Sequence, residues 1–431
     1  MTEGNADFRR GYEAGYSRGF TAGKTTFGNR FEGVSIIIPT FNKKEMLREC
    51  LDSIEAHTEH PYEVIVVDNG SEDGTAEMLR QRRGNLRFTV HPRNLGFARA
   101  VNTGLMMAKG NYLLLLNNDV LVTERWLSQM LACLKECPGA AAVGPVTNYI
   151  GGEQQIQVPY ADIRGMREFA AAYNRKDPSK WWDTDRLVGF CLLFSRKTFE
   201  ETGYLDEGYE IGNFEDDDWM VRLRFQGKRL KIAGDTFVHH YGSVTMKGLG
   251  PQGFFETNSR NENFFTDKWG SPHEALQRMK SQFRASAGSR RMADFFPPER
   301  WVQNCNGRVY RMAYGMKYPV AWQLVTDDIR NEAVRLSVVD LVQFPTGPEI
   351  TASQELTAMK RRKDDVETIY RDAAGQLYLT DRGERRYLIS KYTCRAWCYS
   401  YPEYENALAE HAELPEGLPI LPPVRILSED L

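Results

Sequence analysis

VSIIIPTFN at residues 34–42 and YEVIVVDNGSEDGT at residues 62–75 decide the fold. Each is a short β-branched run, apolar on both sides, that stops at a polar turn. Both are followed by stretches with apolar residues every three or four positions. That alternation is the pattern of a sheet of mostly parallel strands covered by helices on both faces. Extending the reading outward gives strands at 34–39, 62–68, 86–91, 112–117 and 140–144. Helices fall at 43–56, 75–82, 97–108 and 124–137. In the first helix Met46, Leu47, Cys50, Leu51 and Ile54 share one face, which predicts burial.

An open α/β sheet of this kind takes its ligand in the crevice beyond the carboxyl ends of its strands. The polar residues that follow strands here are Thr40, Asn42, Asp68, Asn69, Asn94, Asn117, Asn118 and Asp119, so all are expected along one edge. Residues 145–185, with Gly151-Gly152, Pro159, Pro178 and Trp181-Trp182, read as loops at the rim of that edge.

The whole chain of 431 residues is long for one core, which predicts two domains with short extensions. A formal charge of −3 and a pI near 6.2 give no electrostatic footprint for nucleic acid. No apolar run is long enough to cross a bilayer, and residues near the start lack the pattern of a secretory signal, so a cytoplasmic protein is expected. Seven cysteines at spacings unlike zinc or thioredoxin motifs read as reduced thiols. Near the start, Gly11, Gly15, Gly19 and Gly23 recur beside Phe8, Tyr12, Tyr16 and Phe20. Such a stripe suits either self-association into a homo-oligomer or a leader that orders on contact.

Taken together, VSIIIPTFN, YEVIVVDNGSEDGT, NLGFARAVNTG at 94–104, YLLLLNNDV at 112–120, LVGFCLLFSRKTFEETGYLDE at 187–207, NFEDDDW at 213–219 and VHHYGSVT at 238–245 resemble the family 2 glycosyltransferases. Within them the chain looks closest to the rhamnosyltransferase-like branch of surface polysaccharide assembly. The resemblance implies a GT-A fold over residues 31–270, in an enzyme class that is generally inverting. A leader at 1–30 and a smaller α-rich or mixed C-terminal region at 271–431 lie outside it.

Carried onto this sequence, the resemblance implies a set of roles. Asp68 accepts hydrogen bonds from a nucleobase or ribose, unless it only caps its turn. Pro39 stiffens the turn that presents Thr40 and Asn42 to the nucleotide. Around Asn94, Gly96 lets backbone approach a ligand, and Arg99 reaches diphosphate or sugar from the helix that follows, unless it is a solvated surface charge. Asp119 occupies the family's metal-binding Asp-x-Asp position with Asn117 in place of the first Asp. Asn118 lies between them, and an Asx turn is the alternative there. With His240 nearby, Asp119 holds Mn2+ or Mg2+, the donor's phosphates completing the shell. His239 faces the other way if the strand continues through it.

Four acids, Glu215, Asp216, Asp217 and Asp218, open a helix, more than its dipole needs. Glu215 and Asp216 coincide with the family's Glu-Asp motif, whose second acid serves as general base. Asp216 is therefore the expected base, Glu215 its nearest competitor, and Asp217 and Asp218 cap the helix or hold the acceptor. Gly189, Phe190, Trp181, Trp182, Asp206 and Glu207 are expected to line the acceptor or sugar site. The implied reaction moves a sugar from a UDP-, dTDP- or GDP-linked donor to a hydroxyl of a saccharide, lipid-linked or protein acceptor. Two rivals remain. A nucleotidyltransferase would need a glycine-rich basic loop where PTFNKKEMLREC stands, and a non-catalytic sugar-nucleotide sensor would not need the acidic quartet.

Overall fold

A computed structural model describes residues 28–242, 250–282, 290–358, 369–381, 383–400 and 413–431. The glycine and aromatic repeat before residue 28, and Ser243–Thr245 of the last motif, lie outside the described residues.

The strands and helices come in the order the alternation predicts. They are β1 (Phe31–Thr40), α1 (Lys44–His57), β2 (Tyr62–Asp68), α2 (Thr75–Gln81), β3 (Leu86–Val90), α3 (Phe97–Met107), β4 (Gly110–Leu116), β5 (Val120–Leu121), α4 (Trp126–Glu136) and β6 (Ala140–Thr147). Side-chain alternation sends each strand's apolar residues to both faces. Ile36 and Ile38 pack with Leu47, Cys50, Leu51 and Ile54 of α1. Ile37, Ile65 and Val67 pack on the opposite face with Ala98, Val101 and Leu105 of α3.

Beyond β6 the chain departs from the loop expectation. Residues 163–173 form α5 (Ile163–Tyr173), started by the Asp162 side chain accepting from Gly165 N at 2.8 Å. Trp181–Thr184 is β7, followed by β8 (Cys191–Ser195), α6 (Arg196–Thr202), α7 (Glu215–Phe225) and β9 (Arg229–His240). The sheet order is β3-β2-β1-β4-β8-β6-β9-β5, with β7 on β9. The run β3-β2-β1-β4 and the pair β6-β9 are parallel, whereas β8, β7 and β5 run antiparallel to their neighbours. The sheet is thus mostly parallel with antiparallel insertions. A short apolar run such as CLLFS at 191–195 carries no record of strand direction, so the antiparallel insertions leave no mark in the sequence.

After α8 (Gly250–Trp269), the C-terminal region carries α9 (Pro272–Gln282), a four-stranded sheet and a three-stranded sheet. Its core of Trp269, Phe295, Phe296 and Trp397 includes Val221 and Phe225 from α7, so it is built onto the back of that helix. The last residues return to the first domain, where Val424, Ile426 and Leu431 join the core beneath α3. A boundary near residue 270 is therefore crossed by the end of the chain. Among the described residues no helix is long and apolar enough to cross a membrane, and all seven cysteines are free thiols.

Candidate active site

A cavity of about 190 Å3 opens at the carboxyl ends of β1, β2 and β4. Of the expected residues, Pro39, Thr40, Asn94, Asn117, Asn118, Asp119, Gly189, Phe190, Glu215, Asp216 and His240 line it. At the strand ends, Asn118 Nδ2 donates to Thr40 Oγ1 at 2.7 Å, locking two of them together. Asp68, fully buried beside Thr40 in the β1–β2 register, departs from the expectation in not lining the cavity, as does Gly96. Asp68 Oδ1 accepts from Ser71 N at 2.9 Å, while its Oδ2 has no partner. Asn69 holds the next loop: its side chain bonds Asn94 Oδ1, Gly96 O and Leu95 N.

The opposite wall is set by β5 pairing with the end of β9, which puts Asp119 against His240. His240 Nδ1 lies 2.8 Å from the carbonyl of Tyr149. A carbonyl only accepts, so Nδ1 carries the proton, and in the neutral ring Nε2 is left with its lone pair. That Nε2 sits 3.2 Å from Asp119 Oδ1 without hydrogen-bond geometry, and neither atom has another partner. Asn117 Oδ1 is likewise buried and unpartnered. Three unsatisfied acceptor atoms lining one cavity are costly unless something positive sits among them. Oxygen and imidazole donors fit Mg2+ or Mn2+. Among the described residues no three His, Cys, Asp or Glu side chains converge, so protein ligands alone would hold such an ion weakly. Asn148 grips the His240 backbone at both N and O, and Phe190 stacks on its ring with centroids 5.2 Å apart. His239, next in the strand, turns away to Tyr160.

The acids at the start of α7 separate into distinct environments. Asp216 Oδ2 accepts from Gly189 N and its Oδ1 from Asp217 N, both at 2.9 Å. A Cβ on Gly189 would stand 3.2 Å from that of Asp216, which explains glycine there. Burial, then the charge of Asp217, pushes the Asp216 carboxyl up to about 6. Burial, and then the charge of Asp216, raises the pKa of Glu215, whose Oε2 has no partner, well above its ordinary value. Asp217 is paired through both oxygens with Arg186 at the rim.

Asp218 is not a site acid. It is fully buried and bonded to Lys268, Arg222, Trp269 and Tyr209. Burial alone would raise its pKa, but Lys268 and Arg222 hold it below the usual range. Asp206 and Glu207 also leave the expected acceptor site. Asp206 shares Lys268 with Asp218. Glu207 accepts from Leu427 N, Ser428 N and Ser428 Oγ of the returning chain end, with Asn102 bridging to it. Arg99 lies 4.0 Å from Glu207 and does not line the cavity. Asn42 spends its side chain on Glu72 N, stitching two turns. Trp181 and Trp182 sit in β7 against Ala233 and Ile232, outside the cavity. These side chains are drawn off by partners distant in sequence or by a strand edge that the local pattern does not reveal.

The cavity also uses residues the sequence reading passed over: Phe41, Phe97, Ile150, Val188 and the loop Ile211–Asn213. Ile211, Asn213 and Phe214 have φ of +57°, +80° and +74°. Left-handed backbone at a β-branched and an aromatic residue leaves no mark in sequence.

The chain is similar in sequence to known proteins. The model for glycosyl transferase family 2 matches residues 35–203. Glycosyltransferase AglE of Haloferax volcanii is 32% identical over 131 residues, covering 29% of this chain and 40% of that one. The N-acetylglucosaminyl-diphospho-decaprenol L-rhamnosyltransferase of Mycobacterium tuberculosis is 28% identical over 239 residues, covering 49% of this chain and 76% of that one. Among solved structures, the mannosyltransferase PcManGT from Pyrobaculum calidifontis, in complex with GDP-Man and Mn2+, aligns with a TM-score of 0.38 at 19% identity. That alignment covers 60% of this chain and 77% of the other. The chain spans less than half the length of several curated relatives that it matches.

Proposed function

We propose that the protein transfers a sugar from a nucleoside-diphosphate sugar to an acceptor hydroxyl with inversion, a reading that starts from the match of residues 35–203 to the glycosyl transferase family 2 model. The observation that carries this reading is the triplet of unsatisfied acceptors, Asn117 Oδ1, Asp119 Oδ1 and His240 Nε2, in the same cavity as a carboxylate of raised pKa.

In this reading the nucleotide lies along the strand ends. The free Oδ2 of Asp68 accepts from base or ribose, and the Asn69-ordered loop around Gly96 runs beside it. Asn117, Asp119 and His240 would hold Mn2+ or Mg2+ together with the donor's phosphates, and the ion supplies charge stabilisation for the departing diphosphate. Asp216, mostly ionised at pH 7, takes the proton of the acceptor hydroxyl. The freed oxygen forms its bond to the anomeric carbon as the bond to the diphosphate breaks. Burial and the Asp216 charge favour the protonated form of Glu215 beside it.

The L-rhamnosyltransferase activity named for the mycobacterial relative supports a deoxyhexose donor and a glycan-assembly setting as the first candidates to assay. The test is calorimetry with UDP, dTDP and GDP, with and without Mn2+. One nucleotide should bind in a metal-dependent way, and His240→Ala should remove most of that dependence. Equal affinity in excess chelator would overturn the metal-assisted reading.

A further inference from the structure

The loop that delivers Asp216 to the cavity is strained, and its restraint comes from α8, some 50 residues later in the chain. Ile211, Asn213 and Phe214 all take left-handed φ within four residues, and Phe214 caps α7 from that conformation. Left-handed backbone at a β-branched or aromatic residue persists only when its surroundings over-determine it. Here one side chain does most of this. Asn261 of α8, only 1% exposed, accepts from Glu210 N at 2.9 Å. Its Nδ2 is shared among Glu210 O and Gly212 O at 2.9 Å and Asn213 O at 3.1 Å. Asn258, one turn earlier, accepts from Asn213 Nδ2 at 3.3 Å. The loop is also tied to the nucleotide side, because Phe97 N donates to Ile211 O at 2.7 Å.

We infer that Asn261 is a positioning residue for sugar transfer: by clamping the strained loop 210–214 it sets where Glu215 and Asp216 stand relative to the donor. The inference rests on the transferase reading proposed above. Asn261 itself does not line the cavity. Its loss therefore acts through the loop, relaxing the backbone and shifting the α7 start, while Asp68, Asn117, Asp119 and His240 keep their own supports. A displacement of about 1 Å at a catalytic group costs up to ~100-fold in rate.

The experiment uses the full chain, with the sugar nucleotide that gives the fastest nucleoside diphosphate release in a panel of UDP-, dTDP- and GDP-sugars. Asn261→Ala and Asn261→Asp are measured beside Asp216→Asn. Asp at 261 keeps the volume and the acceptor for Glu210 N but loses the donors. Both 261 variants should lose about tenfold or more in kcat, with donor KM and calorimetric nucleotide affinity within about twofold of wild type. If Asp216→Asn is inactive while either folded 261 variant keeps wild-type kcat, the positioning role is overturned and the transferase reading stands. If Asp216→Asn is fully active, the base assignment is what fails. Loss of cooperative unfolding in both 261 variants, or an equal loss in donor affinity, would make Asn261 a fold-holding residue and overturn the inference.

Discussion

Replacing Asp216 by Asn should stabilise the protein at neutral pH while removing its activity. The carboxyl is 9% exposed, and burial followed by the charge of Asp217 lifts it from 3.8 to about 6. A folded state that binds a proton more tightly than the unfolded chain is most stable below the unfolded pKa and loses that stability as pH rises through the folded one. At ~1.36 kcal/mol per pK unit, ionising this group inside the protein costs about 3 kcal/mol above pH 6. Asn removes the charge but keeps only one of the two bonds to Gly189 N and Asp217 N, a loss of about 1 kcal/mol. The net gain is about 2 kcal/mol, which for a chain of 431 residues is a rise in Tm of about 2 °C. Near pH 4.5 the wild-type carboxyl is already protonated when folded, and the advantage should shrink to about zero. Scanning calorimetry of both proteins at about pH 7.5 and about pH 4.5 reads this directly. A variant that is less stable at the higher pH, or that differs equally at both, would refute the buried-carboxylate reasoning.

Lys268→Met should destabilise the protein by about 3–5 kcal/mol in urea titrations, because it leaves Asp206 and Asp218 buried with Arg222 as the remaining buried cation. A change under ~1 kcal/mol would mean those carboxylates have another way to be neutralised. Removing residues 424–431 should lower Tm by several degrees, since it uncovers the core contacts of Val424, Ile426 and Leu431 and strips Glu207 of Leu427 N, Ser428 N and Ser428 Oγ. An unchanged Tm would show that the chain end merely rests on the surface.

The alternation of apolar strands and amphipathic helices made the first half of the sheet legible, because periodicity and burial coincide there. Ile36 and Ile38 face α1 and Ile37 faces α3, as a period of two requires. Residues placed directly after strands, such as Thr40 and Asp119, were legible for the same reason. What failed were acids judged by their local text. Asp206, Glu207 and Asp218 look like Asp216 in sequence, but their partners lie at Lys268, Trp269 and Leu427–Ser428, and nothing local records a contact across 50 residues or more. Trp181 and Trp182 read as loop aromatics in the sequence because a four-residue antiparallel strand carries too little pattern to separate from a turn. Strain at Ile211 and its restraint by Asn261 were invisible, since neither residue type is unusual and only their juxtaposition carries the meaning.

The central claim is that this cavity turns over a nucleoside-diphosphate sugar with Asp216 as the base. Its most direct measurement is steady-state nucleoside diphosphate release from UDP-, dTDP- and GDP-sugars with Mn2+ and an acceptor panel, run on wild type and Asp216→Asn together with nucleotide affinity. Multiple turnovers by wild type, with release by Asp216→Asn reduced by about 100-fold or more at nearly unchanged affinity, is the predicted result. Stoichiometric binding without release by wild type would make the protein a sugar-nucleotide binder, and equal release by the variant would move the base elsewhere.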